Sequence, residues 1–223
     1  MFLKVGHRGA KAYETENTLE SFGKAVSLGV NAVELDVRTS KDGALIVSHD
    51  DGLKRVYGKD VLLSDATLKE LKDLTAGKII TLEEALRFLR GKVEKILVEL
   101  KETGFEKKTL EVIGKEKLKG KAVIVSFHVE ALSSVRELDK KIEAGLIYAK
   151  FKKPIEAALN LGLQYLVPLY RFVHRRDVQK AHKNDLKVIV WTINRRDEAM
   201  SYIAKDVDGI ATDKPDIFKG LVS

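Results

Sequence analysis

Residues 33–50 read V-E-L-D-V-R-T-S-K-D-G-A-L-I-V-S-H-D, and the fold is decided there. Val33, Leu35 and Val37 alternate with Glu34, Asp36 and Arg38, which is the period of a strand and sets both carboxylates on one face. Asp42-Gly43 follows, a strong short hairpin signal, and Ala44-Leu45-Ile46-Val47 runs back. A two-residue loop pairs Lys41 with Ala44 and sets His49 opposite Asp36; a loop two residues longer sets it opposite Glu34. A one-residue bulge turns His49 to the other face, because a slip of one inverts every side chain. The even registers therefore gather Glu34, Asp36 and His49 into one polar cluster. A lone acidic pair is usually a solvated ribbon. Two acids at i, i+2 in an otherwise apolar strand, with a histidine folded back over them, fit a cation site better.

Working outward, the chain alternates. Strands are expected at Phe2 to Gly6, Asn31 to Val37, Lys95 to Leu100, Ala122 to Ser126, Ile142 to Tyr148, Tyr165 to Pro168, Leu186 to Trp191 and Gly209 to Ala211. Helices fall between them. Asn17 with Glu20 reads as a capping box opening a helix to Leu28, Thr81 with Glu84 opens another, and Pro154 and Pro215 each start one. Residues 51–80 form an irregular excursion holding a short helix from Leu68 to Leu74. Strand–helix alternation implies a parallel sheet. About eight such units in 223 residues imply an α/β chain folded as one (β/α)8 TIM barrel over 1–223, with a small insertion at about 51–80 after the second-strand hairpin. An open doubly wound sheet is the alternative. Neither G-x-G-x-x-G after the first strand nor a Walker loop is present, so nucleotide binding has no support.

Composition narrows the function. Cysteine is absent, charged residues make up 33%, and there are only two methionines, two glutamines and five asparagines, a pattern found in proteins of heat-loving organisms. The N-terminus lacks an apolar signal core and no run reaches the ~20 residues of a membrane span. A soluble cytoplasmic protein with no stable membrane insertion is the expectation. The net charge of +7 suits an anionic partner, yet runs such as Lys115 to Lys121 read as solvated helix faces. A basic nucleic-acid-binding protein ranks below an enzyme, since aromatic content is 7% and no basic stripe interleaves aromatics.

In a barrel, functional residues cluster at the C-terminal ends of strands. Those ends supply His7 and Arg8, Glu34 and Asp36, His49 from the hairpin return, Glu99 and Lys101, Ser126 with Phe127 and His128, Trp191 and Asn194, and Thr212 with Asp213. Any one alone is more often a salt bridge. Together they are costly to bury without a ligand. Three carboxylates suit a hard divalent cation, Mg2+ or Ca2+ or Mn2+ rather than zinc. Arg8 and Lys101 suit a phosphate, and two histidines suit proton transfer near neutral pH. Phosphodiester hydrolysis uses all these parts.

The residues are also recognisable as a set. His7-Arg8-Gly9, Glu16-Asn17-Thr18, Glu34-Leu35-Asp36, Asp42-Gly43 and His49-Asp50 stand in the order and spacing of the glycerophosphodiester phosphodiesterases, which the chain resembles over nearly its whole length. The likeness continues through Val98-Glu99-Leu100-Lys101, Ser126-Phe127, Val190 to Asn194, Asp208-Gly209-Ile210 and Thr212 to Pro215. It departs at Ile79-Ile80-Thr81, where the family often has a proline before the helix. The resemblance implies a barrel with an insertion after H-D. It implies hydrolysis of a small glycerophosphodiester to an alcohol and glycerol 3-phosphate. Glu34, Asp36 and Glu99 would hold a divalent ion, His7 and His49 would be general acid and base, Arg8 and Lys101 would bind phosphate, and Trp191 would line the alcohol pocket. Related barrels of phospholipase D-like, lysophospholipid or phosphoinositide specificity are the alternative within the class, and a large apolar patch at the mouth would favour them. The sequence shows no obvious patch of that kind. The choice of alcohol and of metal, which histidine is the acid, whether water or the substrate's own glycerol hydroxyl attacks to give a cyclic phosphate first, and oligomeric state stay open.

Overall fold

In the computed structural model, which describes residues 1–221, the strands are β1 (Leu3–His7), β2 (Ala32–Thr39), β3 (Leu45–Val47), β4 (Lys95–Leu100), β5 (Ala122–Ser126), β6 (Glu143–Tyr148), β7 (Tyr165–Pro168), β8 (Lys187–Val190) and β9 (Gly209–Thr212). β1 pairs in parallel with both β2 and β9, so the sheet closes. Eight parallel strands form the ring, and β3 lies outside it, antiparallel to β2. The structure is a TIM barrel, and closure rules out the open sheet. The helices are α1 (Leu19–Ser27), α2 (Lys54–Tyr57), α3 (Leu68–Leu74), α4 (Leu82–Leu89), α5 (Glu106–Lys115), α6 (Val129–Leu138), α7 (Pro154–Asn160), α8 (Arg175–His182) and α9 (Arg196–Ile203). The segment opened by Pro215 is a 3-10 turn, Pro215–Phe218. Among the described residues no helix is long and apolar enough to cross a membrane.

The period of two in each strand sorts side chains into two cores. Val33, Leu35 and Val37 point outward, with Ile96, Val98 and Leu100 of β4, into the layer shared with the helices. Leu3 and Val5, Ala32, Leu97, Val123 and Val125, Tyr165, Val167, Ile189 and Ala211 fill the barrel interior. Tyr165 fits there because its neighbour is Gly145, where a Cβ would lie 2.7 Å from the Tyr165 Cβ. Continuing each inward series by two residues delivers His7, Glu34 and Asp36, Glu99 and Lys101, Phe127, Trp191 and Asp213 toward the C-terminal mouth. The alternation that builds the barrel therefore also builds the site.

The hairpin differs from its expected register. Thr39 pairs with Leu45, Arg38 with Ile46 and Val37 with Val47, one step out from a two-residue loop. Ser40 N–H donates to the Ala44 carbonyl at 3.0 Å, leaving a three-residue loop that closes on Gly43 at φ 73°. Glycine takes that left-handed position without steric cost, which favours the bulged loop. Asp36 now faces Ser48, whose N–H donates to the Asp36 carbonyl at 3.0 Å. The odd register also gives β3 two uses. Leu45 and Val47 join the outer core, while Ile46 anchors a separate cluster with Leu53, Leu63, Leu71 and Ile79 that holds the insertion together.

Candidate active site

β2 and β4 lie side by side with Asp36 paired to Glu99, and β1 sets His7 beside Glu34. Oxygens of Glu34, Asp36 and Glu99 consequently come within 4.8 Å of one another, all three side chains being buried. Arg8 stands among them. Its N–H donates to Glu34 Oε2 at 2.9 Å, its Nη1 to Glu16 Oε1 at 3.0 Å, and its Nε lies 3.2 Å from Asp36 Oδ2. Lys101 Nζ donates to Glu99 Oε1 at 2.7 Å and lies 3.6 Å from Asp36 Oδ1. Arg8 adopts φ 54°, an uncommon conformation for a non-glycine residue and one concentrated at functional sites.

Two cations do not balance three buried acids. Burial pushes Glu34 well above the carboxylate range, helped by repulsion from Asp36 and Glu99. Burial likewise raises Glu99, to about 7, with Asp36 adding and Lys101 opposing. Burial acts on Asp36 too, but Arg8, Lys101 and the Asn17 amide together hold it below its usual value. Among the described residues, Glu34 Oε1 and Asp36 Oδ1 are buried without a hydrogen-bond donor. Acceptor oxygens without donors, all from carboxylates and converging on one point, fit a hard divalent cation.

Asn17 is not the helix cap its position suggests. Thr18 takes that role, its hydroxyl accepting from Ser21 N–H at 3.2 Å. Asn17 instead adopts φ 59° and donates its amide to Asp36 Oδ2 at 2.8 Å, fixing that carboxylate.

Each histidine is held through Nδ1 by a carboxylate. His7 Nδ1 lies 2.7 Å from Asp213 Oδ1, and its Nε2 is 4.0 Å from Glu34 Oε2. Asp213 is itself gripped by Asn194 Nδ2 at 2.8 Å, with Lys11 Nζ at 3.6 Å. Burial lowers the His7 pKa, and Asp213 partly offsets this. His49 Nδ1 lies 2.7 Å from Asp50 Oδ1. Burial lowers the His49 pKa as well, and the imidazole feels the charges of Asp36, Arg8 and Lys101. So His49 does reach the mouth, although the hairpin register turned out odd. β3 has already ended at Val47, and the chain bends at His49-Asp50, so strand alternation no longer governs the side chain.

Behind His49 runs a charged chain that the sequence did not disclose. Arg55 of α2 donates through Nε to Asp50 Oδ2, and through both terminal nitrogens to Glu16 at 2.9 and 2.7 Å. Glu16 in turn holds Arg8. Arg55 and His49 bring the Asp50 pKa down to about 2 against the effect of burial. Across the mouth, the Trp191 indole donates to the Val167 carbonyl at 2.8 Å and packs edge-on to Phe127, with ring centres 5.7 Å apart. His128, also at this rim, has Nε2 3.1 Å from the Lys101 carbonyl. All eight residues expected at the site thus stand at the mouth. Asp213 and Asp50 were visible in sequence at a strand end and in the H-D pair, but nothing there showed which side chains they hold.

Compared with known proteins, residues 7–217 match the glycerophosphoryl diester phosphodiesterase family. A glycerophosphodiester phosphodiesterase of Caldanaerobacter subterraneus subsp. tengcongensis is 31% identical over 236 residues, covering 99% of this chain and 97% of its own. The crystal structure of a glycerophosphodiester phosphodiesterase from Thermotoga maritima superposes with a TM-score of 0.85 at 34% identity, covering 100% of this chain and 99% of that one. An Oleispira antarctica phosphodiesterase, solved in complex with the product sn-glycerol-3-phosphate, gives 0.86 at 27% identity over 96% of this chain and 94% of its own.

Proposed function

The chain belongs to the glycerophosphoryl diester phosphodiesterase family, and on that premise we propose that it hydrolyses small glycerophosphodiesters to glycerol 3-phosphate and an alcohol, with a divalent cation bound. The observation that carries this reading is the meeting of three buried carboxylates, two of them with oxygens lacking donors, and two carboxylate-held imidazoles at one barrel mouth.

Glu34, Asp36 and Glu99 would hold the cation, Mg2+, Ca2+ or Mn2+, which when bound would neutralise charge on the phosphoryl oxygens. Arg8 and Lys101 border the same space and bind the phosphate by charge-assisted hydrogen bonds. Asp213 and Asp50 accept from Nδ1 of His7 and His49, which keeps that proton in place and leaves each Nε2 to exchange a proton with substrate. One imidazole takes the proton of the attacking hydroxyl. The other gives a proton to the departing alkoxide, a poor leaving group without it. Burial keeps both rings largely neutral at neutral pH in the free chain. The negative charge of a bound diester favours the imidazolium that the acid requires. Trp191 offers an apolar face to the alcohol portion.

The test is product analysis on glycerophosphocholine and glycerophosphoethanolamine. Glycerol 3-phosphate and free alcohol should form with Mg2+, stop after dialysis against EDTA, and resume on adding the metal back. Phosphocholine with free glycerol as products, or undiminished turnover without metal, would overturn the assignment.

A further inference from the structure

Of the eight phenylalanines, three are substantially exposed: Phe127 at 43%, Phe151 at 40% and Phe172 at 46%. They follow β5, β6 and β7, which are successive strands of the ring, so they stand on three adjacent loops of the mouth. Each loop contributes one, and for that reason no patch is visible in the linear sequence. Phe151 packs on Tyr148 with ring centres 6.2 Å apart, and Lys150 Nζ lies 5.2 Å from the Phe172 ring. Phe151 and Phe172 border one groove of about 550 Å³ between α7 and α8. Phe127, on the preceding loop, packs against Trp191.

The same rim is basic. Residues 149–153 and 169–176 hold Lys150, Lys152, Lys153, Arg171, Arg175 and Arg176, six cations with no acid between them. Glu156 and Asp177 answer only part of this charge, through Lys153 and Arg176. Arg175 and Arg176 open α8, the end where the helix dipole disfavours cations; Arg175 donates to the Ala204 carbonyl that closes α9, at 2.6 Å, and Arg176 has no such helix end to serve among the described residues. On the opposite side of the mouth, residues 51–80 are nearly balanced, with five acids against six cations.

Exposed aromatic side chains beside exposed lysines combine the two features that hold a protein on an anionic bilayer: apolar side chains that leave water and cations that meet the headgroups. We propose that the β5–β8 half of the mouth docks peripherally on an anionic lipid surface. The active site then faces the membrane, while the insertion side stays in water. A phenylalanine has no polar group to satisfy, so what Phe151 and Phe172 gain is removal from water. A bilayer supplies that removal for both at once, on loops that project side by side.

The experiment is co-sedimentation of the whole chain with vesicles of mixed phosphatidylcholine and phosphatidylglycerol, and with vesicles of phosphatidylcholine alone. Binding should appear on the anionic vesicles and fall as salt is raised. Lys150→Gln and Lys152→Gln should each weaken it by about fivefold, and Phe151→Ser and Phe172→Ser should weaken it at every salt concentration. Turnover of dissolved glycerophosphocholine should be unchanged in all four, which also shows that they fold. Absence of pelleting, equal pelleting on both vesicle types, or variants that bind as the parent does would each overturn the proposal. So would retention of an oligonucleotide by a chain that ignores vesicles, which would assign the basic rim to nucleic acid. Pelleting needs no turnover, so failure of docking and failure of the proposed activity are separately visible.

Discussion

Glu99 shows how burial holds a proton at this site. Its carboxyl is raised from 4.5 to about 7, first by burial and then by Asp36. Between those values the folded chain binds more protons than the unfolded one. The stability tied to protonated Glu99 is therefore present below about pH 4.5 and lost as pH rises through about 7. Glu99→Gln removes this dependence. Without divalent cations, its melting temperature should gain on the parent's between pH 5 and pH 8; the raised carboxyl of Glu34, pushed up in part by Glu99, relaxes in the variant and acts in the same direction. Adding Mg2+ should restore the parent at pH 8 and do little for the variant. A difference that is flat with pH would show that Glu99 is not the strained group. Single residues were legible in sequence to the extent that strand parity fixed them. Glu34, Asp36, Glu99 and Lys101 follow from a period of two. Asn17 did not, because Asn17 with Glu20 also satisfies a capping pattern, and only the fold shows that Thr18 caps the helix while Asn17 turns to Asp36.

At the scale of elements, the hairpin and insertion are where sequence reasoning stopped short. Asp42-Gly43 announces the turn, but a two-residue loop and a three-residue loop with a left-handed glycine use the same dipeptide. The choice rests on tertiary packing, since Ile46 has to reach the insertion cluster. That insertion also carries Arg55, which ties Asp50 to Glu16 and through it to Arg8. Arg55 is half exposed and lies behind His49 and Asp50, so under the proposed mechanism its part is one of position. Arg55→Ala should lower kcat roughly ten- to a hundredfold with a small change in melting temperature. Loss of its positive charge should also move the limb of the pH–rate profile that belongs to His49 upward. Arg55→Lys should not rescue, because an ammonium cannot hold Glu16 through two nitrogens while reaching Asp50. An unchanged profile with unchanged kcat would reduce Arg55 to a surface brace.

Over the whole molecule, closure of the barrel performs the last step of assembly. His7 and Asp213 are separated by 206 positions, and they meet because β1 pairs with β9. Counting strand–helix units makes the barrel legible. The pairing of these two side chains is not legible, because it depends on the register at which the two ends of the chain join. If Asp213 acts only by holding His7, removing both should cost no more than removing His7. Asp213→Asn should lower kcat on glycerophosphocholine by about a hundredfold or more. His7→Ala should abolish most of the remaining activity, and the double variant should match His7→Ala. The pH profile adds a second reading. Asp213 opposes the lowering of the His7 pKa by burial, so Asp213→Asn should shift the His7 limb to lower pH. A purely structural defect would reduce the height of the profile without moving it. Full additivity in the double variant would mean that Asp213 works independently of His7, through Lys11 or Asn194, whose side chains also reach its carboxylate.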